Sequence, residues 1–277
     1  MQQRVKWLVY SLLLINYALY FRDDLTIAAH TLRNGGSFFE WTAAFATTID
    51  ETAWLFLLIL FELETYILDD EPLSRVKSIL MHTIRVVCYV SLAHTLYAFS
   101  VYALDLQQVV VIEGITNLCQ LVEKDVSYAL NFHYTLLDAS NCKILSTATQ
   151  FYYLDPPNFL IVTDSTGLVI EKQLAWLDVF EVIAWFVILF TIESSIYLQD
   201  RGITTGVLTT VLNKAKFMFY TVLWGAIIYW LYREHWMYAW DEFLWIAGFA
   251  AIEMNVVAWR NELIETDDPV KNNSLKE

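Results

Sequence analysis

Long apolar blocks separated by short polar turns make up most of this chain, and each block is too long for a buried strand. The first is WLVYSLLLINYALYF, Trp7 to Phe21. Others cover Phe45 to Leu68, Val76 to Leu104, Leu174 to Leu198, Val207 to Tyr232 and Phe243 to Trp259. A helix needs about 20 apolar residues to cross a bilayer, so the pattern predicts an all-α polytopic membrane protein with about six transmembrane helices. The first block is short, and the MQQRVK ahead of it gives the outline of a secretory signal. It ends in Tyr and Phe rather than the small residues a cleavage site needs, so an uncleaved first helix is expected.

A polar stretch, Asp105 to Lys172, separates the third block from the fourth and predicts a small α+β extracytoplasmic domain inserted between helices 3 and 4. In QQVVVIEGITNLCQLVEKDVSYAL the residues Ile112, Ile115, Leu118, Leu121 and Val122 recur at helical spacing. KILSTATQFYYL and NFLIVTDSTGLVIEK are rich in β-branched and aromatic residues and read as strands. DSTG between LIVT and LVIE reads as a hairpin turn, and DPP as the end of the preceding strand. The expected organisation is membrane helices 1–3 over 1–104, the inserted domain over 105–172, membrane helices 4–6 over 173–260 and a polar tail over 261–277.

Composition sharpens the class. Of 277 residues 57% are hydrophobic, where soluble domains hold about 45–50%, and the mean hydropathy is +0.43. Eleven Trp, 16 Tyr and 17 Phe suit side chains at membrane interfaces. A formal charge of -14 excludes nucleic acid and anionic lipid head groups as natural partners. It leaves the bilayer itself, a second copy or a membrane protein partner, and a monovalent cation or proton.

Basic residues in short flanks favour the cytoplasmic side. With the N-terminus inside, Arg4, Lys6, Arg75, Lys77, Arg201, Lys214 and Arg260 are cytoplasmic, against Arg22, Arg33 and Arg233 outside. The expected location is a bacterial inner membrane, with 105–172 on the far side. There Cys119 and Cys142 are placed to form a disulfide, closing a loop worth about 3 kcal/mol; the alternative is two free thiols. Cys88, inside the third block, is expected to pack.

Charged residues inside these blocks carry the candidate chemistry, and they repeat. AWLFLLILFELETYILDD (53–70) aligns without a gap on AWFVILFTIESSIYLQDR (184–201). Trp54 falls on Trp185, Glu62 on Glu193, Tyr66 on Tyr197 and Asp69 on Asp200. At the same offset Arg85 falls on Lys216 and Tyr89 on Tyr220. Trp245 stands before Glu253 at the same spacing, and Asp50, Glu181 and Asp241 each precede their Trp by one turn. These matches predict two parallel-repeat helical hairpins, spans 2–3 and 4–5, plus a half-repeat in span 6. Asn16, Tyr20 and Asp23 share the spacing of Glu62, Tyr66 and Asp69, but the first span runs the other way.

Helical rise places Glu62 about 10 Å inside the membrane from Asp69, with Arg85 at similar depth on the returning helix. The expected intramembrane pairs are therefore Glu62 with Arg85 and Glu193 with Lys216, with Tyr66 and Tyr197 donating one turn below. Glu253 has no cation in a seventh helix; it either joins another pair or is protonated. A charge at mid-membrane costs from about 2.5 to more than 10 kcal/mol, so such residues face a partner, a protein interior or water. Trp54, Trp185 and Trp245 are expected as interfacial anchors. Glu64 lies off the Glu62 face and has Ser195 as its counterpart.

Catalysis is not expected. His30, His82, His94, His133 and His235 are scattered, with no HxxxH or HxxH pair, and no phosphate loop, GxSxG or CxxC occurs. No metal or cofactor is expected. Three readings remain: a cation or proton channel or transporter built on the repeated glutamates, a non-catalytic membrane subunit or scaffold, and a membrane sensor whose outer domain binds a ligand.

Overall fold

The computed structural model describes residues 2–63 and 75–266. The chain is mostly helical, with one small sheet. The helices are α1 (Gln2–Thr31), α2 (Phe38–Ala44), α3 (Ala46–Glu62), α4 (Arg75–Asp105), α5 (Cys142–Leu145), α6 (Ser165–Asp200), α7 (Val207–Tyr232) and α8 (Trp236–Thr266). The strands are β1 (Val110–Val111), β2 (Ser127–Leu130), β3 (His133–Leu136), β4 (Phe151–Tyr153) and β5 (Ile161–Asp164).

Among the described residues, the helical runs Arg75–Gln108 and Ser165–Gln199 are long and apolar enough to cross a membrane. The pair α2 and α3, bent by 67° at its break, makes a third if taken as one span. α1, α7 and α8 are 30, 26 and 31 residues long. Local chemistry sets several helix ends. Ser37 caps α2 in a reciprocal box, its side chain accepting from Glu40 N while the Glu40 carboxylate accepts from Ser37 N. α7 starts after Gly206, whose φ of +131° is closed to most side chains.

The chain divides into two compact units. One gathers Met1–Asn16, Ala53–Tyr89 and Ile183–Glu277; the other gathers Tyr17–Thr52 and Val90–Val182. The second unit holds the sheet, in order β1-β4-β5-β2-β3, with β2 and β5 parallel and the other pairs antiparallel. Alternate residues of its strands enter two cores, as the strand period of two requires. Ala129 and Ile161 join Ala103, Leu106, Leu168 and Ala175 on one face. Tyr128 and Val162 join Leu118, Leu121, Phe151 and Cys142 on the other.

Three expectations for the inserted segment change, the first being that Lys143 to Leu145, read as strand, belongs to α5. The run 107–130, expected as helix, contains β1, a 3-10 turn over Leu118–Lys124 capped by Asn117, and β2. Its apolar spacing fits both periods, and β2 is claimed by the β5 and β3 ladders. DSTG is not a hairpin turn: Asp164 ends β5, and Ser165 begins α6, so LVIEK is helical. The tight hairpin lies instead between β2 and β3, where Asn131 and Phe132 both adopt positive φ, the geometry of a two-residue primed turn. The Phe132 N–H there donates to Glu171 Oε1 at 2.9 Å. The expected Cys119–Cys142 disulfide is present, with Cα atoms 4.9 Å apart. β4 stops at Tyr153, just before Asp155-Pro156-Pro157.

Candidate functional site

The repeated acids lie in the first unit, on helices whose apolar residues form its interior. On α4, Arg85 and Tyr89 stand one turn apart and so share a face. Arg85 Nε lies 3.4 Å from Glu193 Oε1 on α6, and the Tyr89 hydroxyl donates to the same oxygen. The Arg85 guanidinium also covers the Phe61 ring, 5.6 Å from its centroid. On α7, Lys216 and Tyr220 repeat that one-turn spacing. Lys216 Nζ lies 2.7 Å from Glu253 Oε2, and the Tyr220 hydroxyl donates to Glu253 Oε1 at 3.0 Å. On α1, the Tyr10 hydroxyl donates to Glu62 Oε2 at 3.2 Å.

The cations reach acids beyond those expected within each hairpin. Arg85 meets Glu193, an acid outside its expected pair, and Lys216 meets Glu253 rather than Glu193. The physical reason is that α4 packs its Arg85–Tyr89 face on α6, and α7 packs its Lys216–Tyr220 face on α8. Depth along the axis is the same for either choice, so spacing alone does not select the neighbour. Glu253, expected either to join another pair or to be protonated, meets Lys216 of the expected Glu193 pair, together with Tyr220.

Tyr197 does not donate below Glu193. It is 54% exposed, and Arg201 stacks on its ring at 4.3 Å. Tyr66, with Glu64 and Asp69, lies outside the described residues. Tyr10 is the partner the sequence reading missed. Its signal was available: Lys6–Tyr10, Arg85–Tyr89 and Lys216–Tyr220 are all cation and tyrosine four apart.

The three tryptophans are not lipid-facing anchors. Trp54, Trp185 and Trp245 are 5%, 7% and 4% exposed. Their rings gather around Phe249, with centroids 5.5, 5.3 and 6.1 Å from it, and Trp54 lies 5.8 Å from Trp185 and 6.3 Å from Trp245. Rings at these separations pack as a dry aromatic cluster. Trp185 keeps its indole N–H satisfied by donating to the Glu242 carboxylate at 3.1 and 3.2 Å. Nearby, buried Asn16 donates to buried Asp241. Cys88 is buried, as its packing role required.

Among the described residues no group of three or more His, Cys, Asp or Glu is placed to hold a metal ion. What the site contains is a set of carboxylates, each within hydrogen-bond reach of a phenol, with Arg85 beside Glu193 and Lys216 beside Glu253. Such groups can hold, share and exchange protons. No protein family, curated protein or solved structure matches the chain.

Proposed function

We propose that this chain is a six-span membrane protein that moves protons by way of Glu62, Glu193 and Glu253. In this reading the spans form three helix pairs, α1 with α3, α4 with α6, and α7 with α8, in place of two hairpins and a half-repeat. The observation that carries it is the tyrosine-to-glutamate hydrogen bond, made from Tyr10, Tyr89 and Tyr220 at matched positions of the three pairs. Leu13, Leu92 and Leu223, each three residues beyond its tyrosine, are all fully buried, which supports the same alignment.

Protons are favoured over metal cations on physical grounds. A metal cation needs oxygen ligands replacing its water shell along an open path. Here Arg85 and Lys216 stand where such an ion would bind, and Phe249 and the three tryptophans close the interior beside them. A proton needs only hydrogen-bonding groups at short range, and buried acid–base residues of this kind form proton relays in membrane proteins.

The test is flux into liposomes holding the purified protein, read separately with a pH dye and a potassium electrode. Proton flux without potassium flux is expected in the wild type, and its loss is expected in a folded Glu62→Gln, Glu193→Gln, Glu253→Gln triple variant. Undiminished flux in that variant would remove the carboxylates from the path. A second reading, a non-catalytic membrane scaffold, is favoured by the cation already paired with Glu193 and Glu253. It is selected by zero wild-type flux together with a triple variant that melts at clearly lower temperature.

A further inference from the structure

Beside Lys216 and Glu253, at the first turns of α7, the first unit contains a small cavity, walled on one side by Leu198 and Val257, that the proposed pathway does not yet use. It is lined by Ser195 and Gln199 of α6, Thr209, Asn213 and Lys216 of α7, and Glu253 of α8. Its volume is about 20 Å³, just above the ~10–15 Å³ that one water molecule occupies. Gln199 is 6% exposed, yet its Oε1 has no hydrogen-bond partner among the described residues, and the same holds for the buried Thr209 Oγ1. A buried acceptor left so is costly unless water reaches it. At the rim, Asn213 and Ile203 are exposed.

Thr209, Asn213, Lys216 and Tyr220 follow at spacings of four, three and four, so they form a single polar stripe on α7. The stripe climbs about 16 Å from the helix start to the phenol on Glu253. Its neighbours Leu208, Val211, Phe217 and Met218 are exposed and apolar.

We propose that this cavity is a water-filled inlet that delivers protons from the 201–206 turn to the Lys216–Glu253 pair. The proposal rests on the proton-transport reading and names its point of access. The ligand is water carrying an excess proton: the two orphan oxygens accept from water, while the ammonium of Lys216 repels a resident sodium or potassium ion. Thr209 and Gln199 hold the water, and the Glu253 carboxylate, positioned by Lys216 and Tyr220, receives the proton.

Two measurements on the full chain in liposomes test it. In a Cys88→Ser background, Thr209→Cys is labelled with silver ion, a thiol reagent close to water in size, with exposed Thr210→Cys as the reference. Separately, proton flux is measured for Gln199→Leu, Thr209→Val. Labelling of the Thr209→Cys variant near the rate of Thr210→Cys is expected, together with a loss of flux by about a hundredfold, the size of a lost proton-transfer group, at unchanged melting temperature. A Thr209→Cys variant that stays unlabelled while Thr210→Cys reacts means a dry cavity and overturns the proposal whatever the flux. Labelling of Thr209→Cys with no wild-type proton flux overturns the inlet role through failure of the transport reading. Labelling with full flux in Gln199→Leu, Thr209→Val overturns the inlet alone. Binding of sodium or potassium that protects the Thr209→Cys thiol from the reagent assigns the cavity to a metal cation and overturns the choice of ligand.

Discussion

At the scale of single residues, Asp164 gathers four donors on one carboxylate. It accepts from Thr166 N at 3.0 Å, Gly167 N at 2.8 Å, the Tyr128 hydroxyl at 2.8 Å and the Ser146 hydroxyl at 2.5 Å. Burial alone would push its pKa up, but the donors, led by Gly167 N and Ser146, outweigh burial and hold it below the ordinary value. A depressed folded-state pKa means stability that is present above the unfolded pKa and lost as pH falls through the folded one. Asp164→Asn is therefore expected to lower stability by about 1.5–3 kcal/mol near neutral pH. The gap should shrink in thermal melts taken from pH 7 toward about pH 3, because a protonated Asp resembles Asn; a gap constant with pH would show that the charge is not its source. Asp155 has the opposite sign: burial raises its pKa, partly offset by N–H donation from Ile161 and Leu160. None of this was visible in DSTG read as a turn, because Asp is favoured both in turns and at helix starts. The acids of the candidate site were more legible, since a glutamate within an apolar block stands out on cost alone.

Among the elements, the start of α6 shows how close packing decides what a local motif becomes. Gly167 needs no special φ, but a Cβ placed there would lie 2.1 Å from Thr163 Oγ1 and 3.4 Å from Ala129 O. That threonine hydroxyl is itself spent on Ala129 O at 2.7 Å, between β5 and β2. Gly167→Ala is expected to cost about 1–3 kcal/mol through overpacking, read as a lower melting temperature. Gly225→Ala on α7 meets nothing within 4 Å and should stabilise by up to about 1 kcal/mol on helix propensity; equal effects at both sites would remove the packing argument. The long helices were legible as elements: the block Val207 to Tyr232 coincides with α7, and α4 differs from its block by one residue at each end. The strands were not. β1, β3 and β4 are two to four residues long, too short for a period of two to separate from noise, and they exist because neighbours in the sheet complete their hydrogen bonds.

At the scale of the whole molecule, the disulfide ties two parts of the second unit that are 23 residues apart. Closing a loop of that length contributes about 3 kcal/mol in the chain-entropy account, so reductant should lower the melting temperature of the unit formed by 17–52 and 90–182. An unchanged melt would mean that the unfolded chain is not constrained by the bond. Sequence alone determined the membrane-like class, the presence of the long helices, the cysteine pair and the shared spacing of tryptophan, glutamate, cation and tyrosine. All of these follow from composition and from separations along one chain, which need no partner to be defined. Tertiary structure decided that Lys216 meets Glu253 and that Arg85 reaches Glu193, because equal depth along the axes leaves the neighbouring helix to choose. It also decided that the tryptophans lie inside. An apolar face satisfies lipid and protein core alike, and only the arrival of Phe249 between the three rings settles which of the two it meets.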